Sequence, residues 1–254
     1  MEENPTTASP DTAVQVKNLR KNFGFIQALR GIDFDLAKGE FLTIFGPNGA
    51  GKTTLIKILS TLTKPTSGTA RVAGYDVLAG DPRLRNEIGV ISHVSFLYED
   101  LTALENMLFY AKMYHLENQK GRAVQVIEEV GLKARMHDRV RTFSRGMLQR
   151  LSIARAVIHQ PSVLFLDEPY TGLDQHASNL FKEQLYSLHT SKRTILMTTH
   201  DISRGLEMCD RAAILVKGRI ALMKSVGDID KNGFDDLYFE TVANEKSLNS
   251  FRDK

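Results

Sequence analysis

The sequence predicts an α/β fold: a parallel core sheet with a helical lobe inserted into it. Three observations predict it. Short apolar β-type runs alternate with helix or turn signals in the first and last thirds of the chain, and that alternation implies a parallel sheet. One of these runs, Phe41-Leu42-Thr43-Ile44-Phe45, leads straight into Gly46-Pro47-Asn48-Gly49-Ala50-Gly51-Lys52-Thr53, a full G-x-x-x-x-G-K-[ST] loop, and then into a helical run at 54–62. The middle of the chain, about 92 to 160, reads as helix almost throughout.

Taken in order, the β-type runs are 14–16, 32–36, 41–45, 69–72 and 88–91. Thr102-x-x-Glu105 is a capping box that opens a helix. Leu104, Met107, Leu108, Ala111 and Tyr114 recur along it at helical spacing. A second helix runs from about 120 to 130 and stops near Gly131. A third starts at Ser144, a good N-cap, and carries Leu148, Leu151 and the run 153–158. After Pro161 the strands return at 163–166, 194–198 and 212–216. Residues 1–12, polar and Pro-containing, are expected to be disordered, with one domain over 13–224 and a charged tail over 225–254.

The chain has 254 residues, 42% hydrophobic and 25% charged, which suits a globular protein able to bury a large core. A net charge of +3 makes no demand for nucleic acid. The single cysteine, Cys209, allows no internal disulfide and suits a reducing compartment. No apolar run reaches about 18 residues, so no membrane span is expected. The first residues lack the basic start and apolar stretch of a secretory signal.

The glycine-rich loop is built for phosphate. Its glycines let successive backbone N–H groups turn inward around phosphate oxygens, and the positive end of the following helix adds attraction. Lys52 places a point charge on the outer phosphates, and Thr53 offers a hydroxyl to Mg²⁺. A chance match to this pattern in such a chain arises roughly once in a hundred. The run Val163-Leu164-Phe165-Leu166 ends in Asp167-Glu168. Ligands in parallel sheets bind beyond the carboxyl ends of the strands, so Asp167 is placed to hold Mg²⁺ and Glu168 to polarise an attacking water. His200 follows the apolar strand at 194–197 and belongs on the same rim. Ser144, from physics alone, is an ordinary N-cap whose helix end could also take an anion.

In this order (phosphate loop, Ser-x-Gly helix start, Asp-Glu strand, strand-end His) the chain resembles the ATP-binding subunit of ABC transporters from about residue 14 to 224. Phe143-Ser144-Arg145-Gly146-Met147 matches that family's Leu-Ser-Gly-Gly-Gln signature at Ser144 and Gly146. Glu168-Pro169-Tyr170-Thr171-Gly172-Leu173-Asp174 matches the segment running into its Asp-loop, His200 its switch histidine, and Phe23 the aromatic that stacks on adenine; otherwise Phe23 is a core aromatic. The resemblance implies a P-loop NTPase (RecA-like) core sheet with a small antiparallel β part and an inserted helical lobe. It implies ATP and Mg²⁺ as ligands, with the backbone through Thr54 holding phosphate and Lys52, Glu168 and His200 carrying catalysis. It also implies a head-to-tail dimer, with a second copy or a related ATPase subunit. Each ATP lies between the phosphate loop of one subunit and Ser144, Gly146 and Asp174 of the other.

The same resemblance implies a separate membrane-spanning partner and a peripheral place on the cytoplasmic side of the cell membrane. Val94-Ser95-Phe96-Leu97-Tyr98 with Phe109 and Tyr110 forms the expected docking surface. The combination of His93, Ser144-Arg145-Gly146-Met147 and Leu101-Thr102-Ala103-Leu104-Glu105-Asn106 resembles export-type subunits, in particular the haem exporter of cytochrome c maturation, and also drug and polysaccharide exporters. The alternative reading is a non-transport ATPase of the same superfamily acting on nucleic acid or ribosomes. Three positions depart from the family pattern. His93 replaces the glutamine that opens the lobe; Mg²⁺ prefers oxygen, so its expected role is a hydrogen bond to a bound water or the γ-phosphate, with an added pH dependence. Met147 lacks a glutamine's hydrogen bonds. Arg145 either adds positive charge near phosphate or points to solvent, and the sequence does not choose.

Overall fold

The computed structural model describes residues 11–92, 94–190, 192–230 and 233–250. The first ten residues of the N-terminal stretch expected to be disordered, and His93, lie outside the described residues. Two sheets pack through a shared core. Strands β1 (Thr12–Phe23), β2 (Ile26–Ala37), β4 (Ser67–Val72) and β5 (Tyr75–Asp76) form the small antiparallel sheet, in the order β2-β1-β4-β5. The core sheet comprises β3 (Phe41–Phe45), β6 (Ile88–Ser92), β7 (Val163–Asp167), β8 (Thr194–Thr199), β9 (Arg211–Val216) and β10 (Arg219–Ser225), in the order β10-β9-β3-β8-β7-β6. Strands β6, β7, β8, β3 and β9 run parallel; β10 returns antiparallel on β9.

Every residue of β3, β7 and β8 is buried, as central parallel strands covered on both faces must be. Strand alternation divides their side chains between two cores. Phe41, Phe45, Leu164 and Leu166 face the core shared with the helical lobe. Leu42, Ile44, Val163 and Phe165 face the core shared with helix α1 (Lys52–Leu59) and the antiparallel sheet. A short helix α2 (Arg83–Glu87) precedes β6.

The inserted lobe lies between the neighbouring strands β6 and β7 and consists of α3 (Ala103–Met113), α4 (Gln119–Glu129) and α5 (Arg145–Val157). The capping box on α3 forms as expected, with Thr102 and Glu105 satisfying each other's backbone N–H groups. Asn106, fully buried, locks the preceding loop: its Oδ1 accepts from Tyr98 N at 2.8 Å, and its Nδ2 donates to Tyr98 O at 3.0 Å and Thr102 O at 2.9 Å. Helix α6 (Gln175–Thr190) connects β7 to β8, and α7 (Ile202–Leu206) connects β8 to β9.

Two features depart from the sequence expectations. Strand β10 was not legible; it pairs through a turn at Lys217 and Gly218, both with positive φ (46° and 79°), as the tightest hairpins require. The segment 225–254 is also more than a charged tail. Helix α8 (Phe234–Ser250) folds back on the core, burying Phe234, Tyr238 and Val242 at four-residue spacing. The Phe234 ring meets Phe45 edge-to-face at 5.3 Å, so the helix braces the last residue before the phosphate loop. Phe234→Ala should therefore cost about 3–5 kcal/mol of stability, the range for deleting a buried Phe side chain. Urea unfolding measures this, and an unchanged midpoint would make α8 an appendage. No helix among the described residues is long and apolar enough to cross a membrane.

Candidate active site

The carboxyl ends of β3, β7 and β8 open on one rim of the sheet, and the sequence-marked residues gather there. Residue Gly51 caps α1 with φ 110°, and a β-carbon on it would lie 2.6 Å from Ala28 O. Only glycine fits that turn, which aims the first N–H groups of α1 into a cleft of about 410 Å³. The cleft is lined by Asn48 through Thr54, by Ile26, Ala28 and Arg30 of β2, and by Glu168 and Lys217.

Lys52 is nearly buried; its Nζ donates to Gly46 O at 2.6 Å and Pro47 O at 3.3 Å. The same Nζ lies 3.1 Å from Glu168 Oε1. That oxygen accepts no hydrogen bond, so the contact is an ion pair by distance without hydrogen-bond alignment. The other carboxylate oxygen of Glu168 meets His200 Nδ1 at 2.9 Å and accepts from His200 N at 3.3 Å. Glu168 itself has φ 50°, a costly conformation of order 1–3 kcal/mol for a residue with a side chain. Its N–H donates to Thr198 O at 2.9 Å, which pins the turn beside β8.

Asp167, buried at the end of β7, accepts from Thr53 Oγ1 at 3.1 Å and Thr198 Oγ1 at 2.8 Å. Hydroxyl and carboxylate oxygens side by side are a donor set that suits Mg²⁺. Among the described residues no group of three His, Cys, Asp or Glu side chains could hold a metal alone. Any ion here must take further oxygens from phosphate or water.

The remaining expected residues lie elsewhere. Phe23 sits at the tip of the β1–β2 hairpin, half exposed, with Lys21 Nζ 4.8 Å from its ring centroid. It is therefore not a core aromatic. It does not line the cleft, although Ile26 in the same hairpin does. Ser144, Gly146 and Asp174 line a second cleft of about 180 Å³ that contains no residue of the phosphate loop. Ser144 caps α5 by accepting from Met147 N at 3.3 Å. Gly146 lies against α6: a β-carbon on it would come within 2.9 Å of Ala177 Cβ. Asp174 Oδ1 accepts from Ala177 N at 2.8 Å. Of the expected docking residues, Val94, Phe96, Tyr98 and Phe109 are exposed, whereas Tyr110 is buried in the lobe.

Arg30, Lys217 and Thr198 were missed as site residues. Arg30 Nε is buried without a hydrogen-bond partner at the cleft wall. It and Lys217 add positive charge where Glu168, the one acid among the described residues that line the cleft, is already taken by Lys52. Only Thr198, next to the strand-end motif, carried a sequence signal.

A protein-family model described as ABC transporter matches residues 29–171. The linearmycin resistance ATP-binding protein LnrL of Bacillus subtilis is 36% identical over 244 residues, which cover 94% of this chain and 78% of that protein. The Nod factor export ATP-binding protein I of Rhizobium etli is 36% identical over 210 residues, covering 82% of this chain and 66% of that protein. Among solved structures, the dimeric post-hydrolysis state of the ATP-binding cassette MJ0796 bound to ADP and Pi superposes with a TM-score of 0.76 at 28% identity, covering 84% of this chain and 98% of that one.

Proposed function

The chain belongs to the ABC transporter family as an ATP-binding, ATP-hydrolysing subunit, and from that premise we propose that it powers export of a small molecule through a separate membrane-spanning partner. The observation that carries the catalytic part is the convergence of Lys52, Thr53, Asp167, Glu168 and His200 on one rim beside the phosphate loop. The loop amides and Lys52 hold the triphosphate. Thr53 and Asp167 would hold Mg²⁺, which neutralises phosphate charge when bound. Glu168 takes the proton of the attacking water, and His200 orients its carboxylate. Catalysis then rests on positioning and charge neutralisation, as in other phosphoryl transfers.

Two copies, or one copy and a related subunit, pair head to tail, so that the second cleft of each completes the nucleotide site of the other. The separation of the two clefts within one chain supports that reading, as does the dimeric MJ0796 structure. Phe23 and Ile26 offer apolar surface to adenine. His93, outside the described residues, is proposed to reach a bound water or the γ-phosphate.

Export is favoured by relatives named for linearmycin resistance and Nod factor export. The likeness to a haem exporter finds no support among them, and the non-transport alternative on nucleic acid or ribosomes is not favoured. The partner places the protein peripherally on the cytoplasmic side of the membrane. Its docking surface is the exposed aromatic patch Phe96, Tyr98 and Phe109, where Tyr98 and Phe109 meet edge-to-face at 5.0 Å. Tagged protein from detergent-solubilised cells should co-purify with a membrane protein. Phe96→Asp with Tyr98→Asp should abolish this while the free subunit still hydrolyses ATP. Retention of the partner by the double variant would move the docking surface elsewhere, and a salt-sensitive, ATP-dependent shift of DNA or RNA would favour the alternative.

A further inference from the structure

Arg145 stands where the family signature has glycine, and its side chain has a definite place. Its guanidinium packs against Gly172; a β-carbon at Gly172, where φ is +74°, would come within 2.1 Å of Arg145 Cζ. Arg145 makes no ion pair among the described residues, although Asp174 lines the same cleft. Two more contacts join the first turns of α5 to this segment and to the helix that follows it. Gly146 packs on Ala177, and Gln149 Nε2 donates to Pro169 O at 2.9 Å. The segment, held at Gly172 and Pro169, begins next to Glu168 and ends where Asp174 caps α6.

We propose that Arg145 is a positioning residue that clasps the loop 169–174 to the Ser144 helix end, so that a phosphate held at Ser144 is felt at Glu168 of the same chain. Within the head-to-tail reading on which this rests, Ser144 serves the partner's nucleotide and Glu168 serves the chain's own. The clasp therefore links the two ATP sites. Guanidinium suits the task because it is planar and delocalised and can pack a face against its neighbour, which a compact ammonium cannot do. Glycine at 172 suits it because the backbone is left-handed and no side chain stands between. Arg145 in this role does not touch phosphate.

The test is a double-mutant cycle on steady-state ATP hydrolysis, with Arg145→Ala, Asp174→Ala and the pair. Each single variant should lower kcat about tenfold with KM for ATP within about twofold, and the double variant should be no slower than the slower single. Arg145→Lys should be as slow as Arg145→Ala. A double variant whose losses multiply, a single variant at the parent rate, or full activity of Arg145→Lys would each overturn the clasp. ATP-dependent pairing of Glu168→Gln, with and without Arg145→Ala, separates this failure from that of the dimer reading. Pairing should survive in both; its absence in Glu168→Gln alone would remove the dimer and the clasp with it, and its loss only with Arg145→Ala would make Arg145 an interface residue instead.

Discussion

Glu168→Gln should lower ATP turnover by about 10²–10⁴-fold, the usual contribution of a positioned general base, while ATP binding persists and ATP-bound dimer accumulates. The substitution keeps the shape of the side chain, so an acceptor for His200 N–H and the turn held by Thr198 O both remain. What it removes is the proton acceptor and one negative charge beside the phosphate loop. Loss of that charge favours triphosphate in the cleft, so affinity should hold or tighten. With hydrolysis blocked, the nucleotide-bridged state persists and mass action collects the paired form. Phosphate release, fluorescent-nucleotide binding and size-exclusion chromatography with ATP measure the three effects. Turnover at the parent rate would remove Glu168 as the base.

The parts of this site legible in the sequence are those fixed by local chain geometry. An unbroken apolar run ending in a glycine-rich loop or in Asp-Glu can scarcely be anything except a central strand with its end on the ligand rim, and β3 and β7 are such strands. The capping box and Ser144 were legible because a cap depends on residues three apart. What depended on distant packing was hidden. Strand β10 alternates weakly, and its Lys-Gly turn lacks the Asn-Gly signal. In α8 the Phe234, Tyr238 and Val242 stripe was present but lay among Asp235, Asp236 and Glu240. Arg30 joins the cleft through the pairing of the long β1–β2 hairpin and a backbone bond from its N–H to Gly218 O, both contacts between distant parts of the chain. The choice left open at Arg145 depended on Gly172, twenty-seven residues on by number (172 − 145), and no spacing rule reaches that far.

Lys52→Ala should weaken the binding step itself, and so differ in kind from Glu168→Gln. Lys52 is held by Gly46 O, Pro47 O and the Glu168 carboxylate. A triphosphate held by the loop would offer a denser negative charge beside the ammonium, so Lys52 is expected to exchange Glu168 for phosphate. On this proposal one residue would both bind the ligand and release Glu168. Removing it loses a charge-assisted contact worth about 1.5–3 kcal/mol on its own. It also leaves Glu168 without its cation in a poorly solvated site, where its charge repels the ligand. The two effects act in the same direction, and ATP affinity should fall about 10²–10³-fold by these magnitudes. Equilibrium binding of ATP and ADP measures it, with far-UV circular dichroism to show that the fold is kept. The combination Lys52→Ala with Glu168→Gln should recover part of the lost affinity, because the repelling charge is gone. No recovery in that pair would mean that Lys52 and Glu168 act independently and that their ion pair has no part in ATP binding.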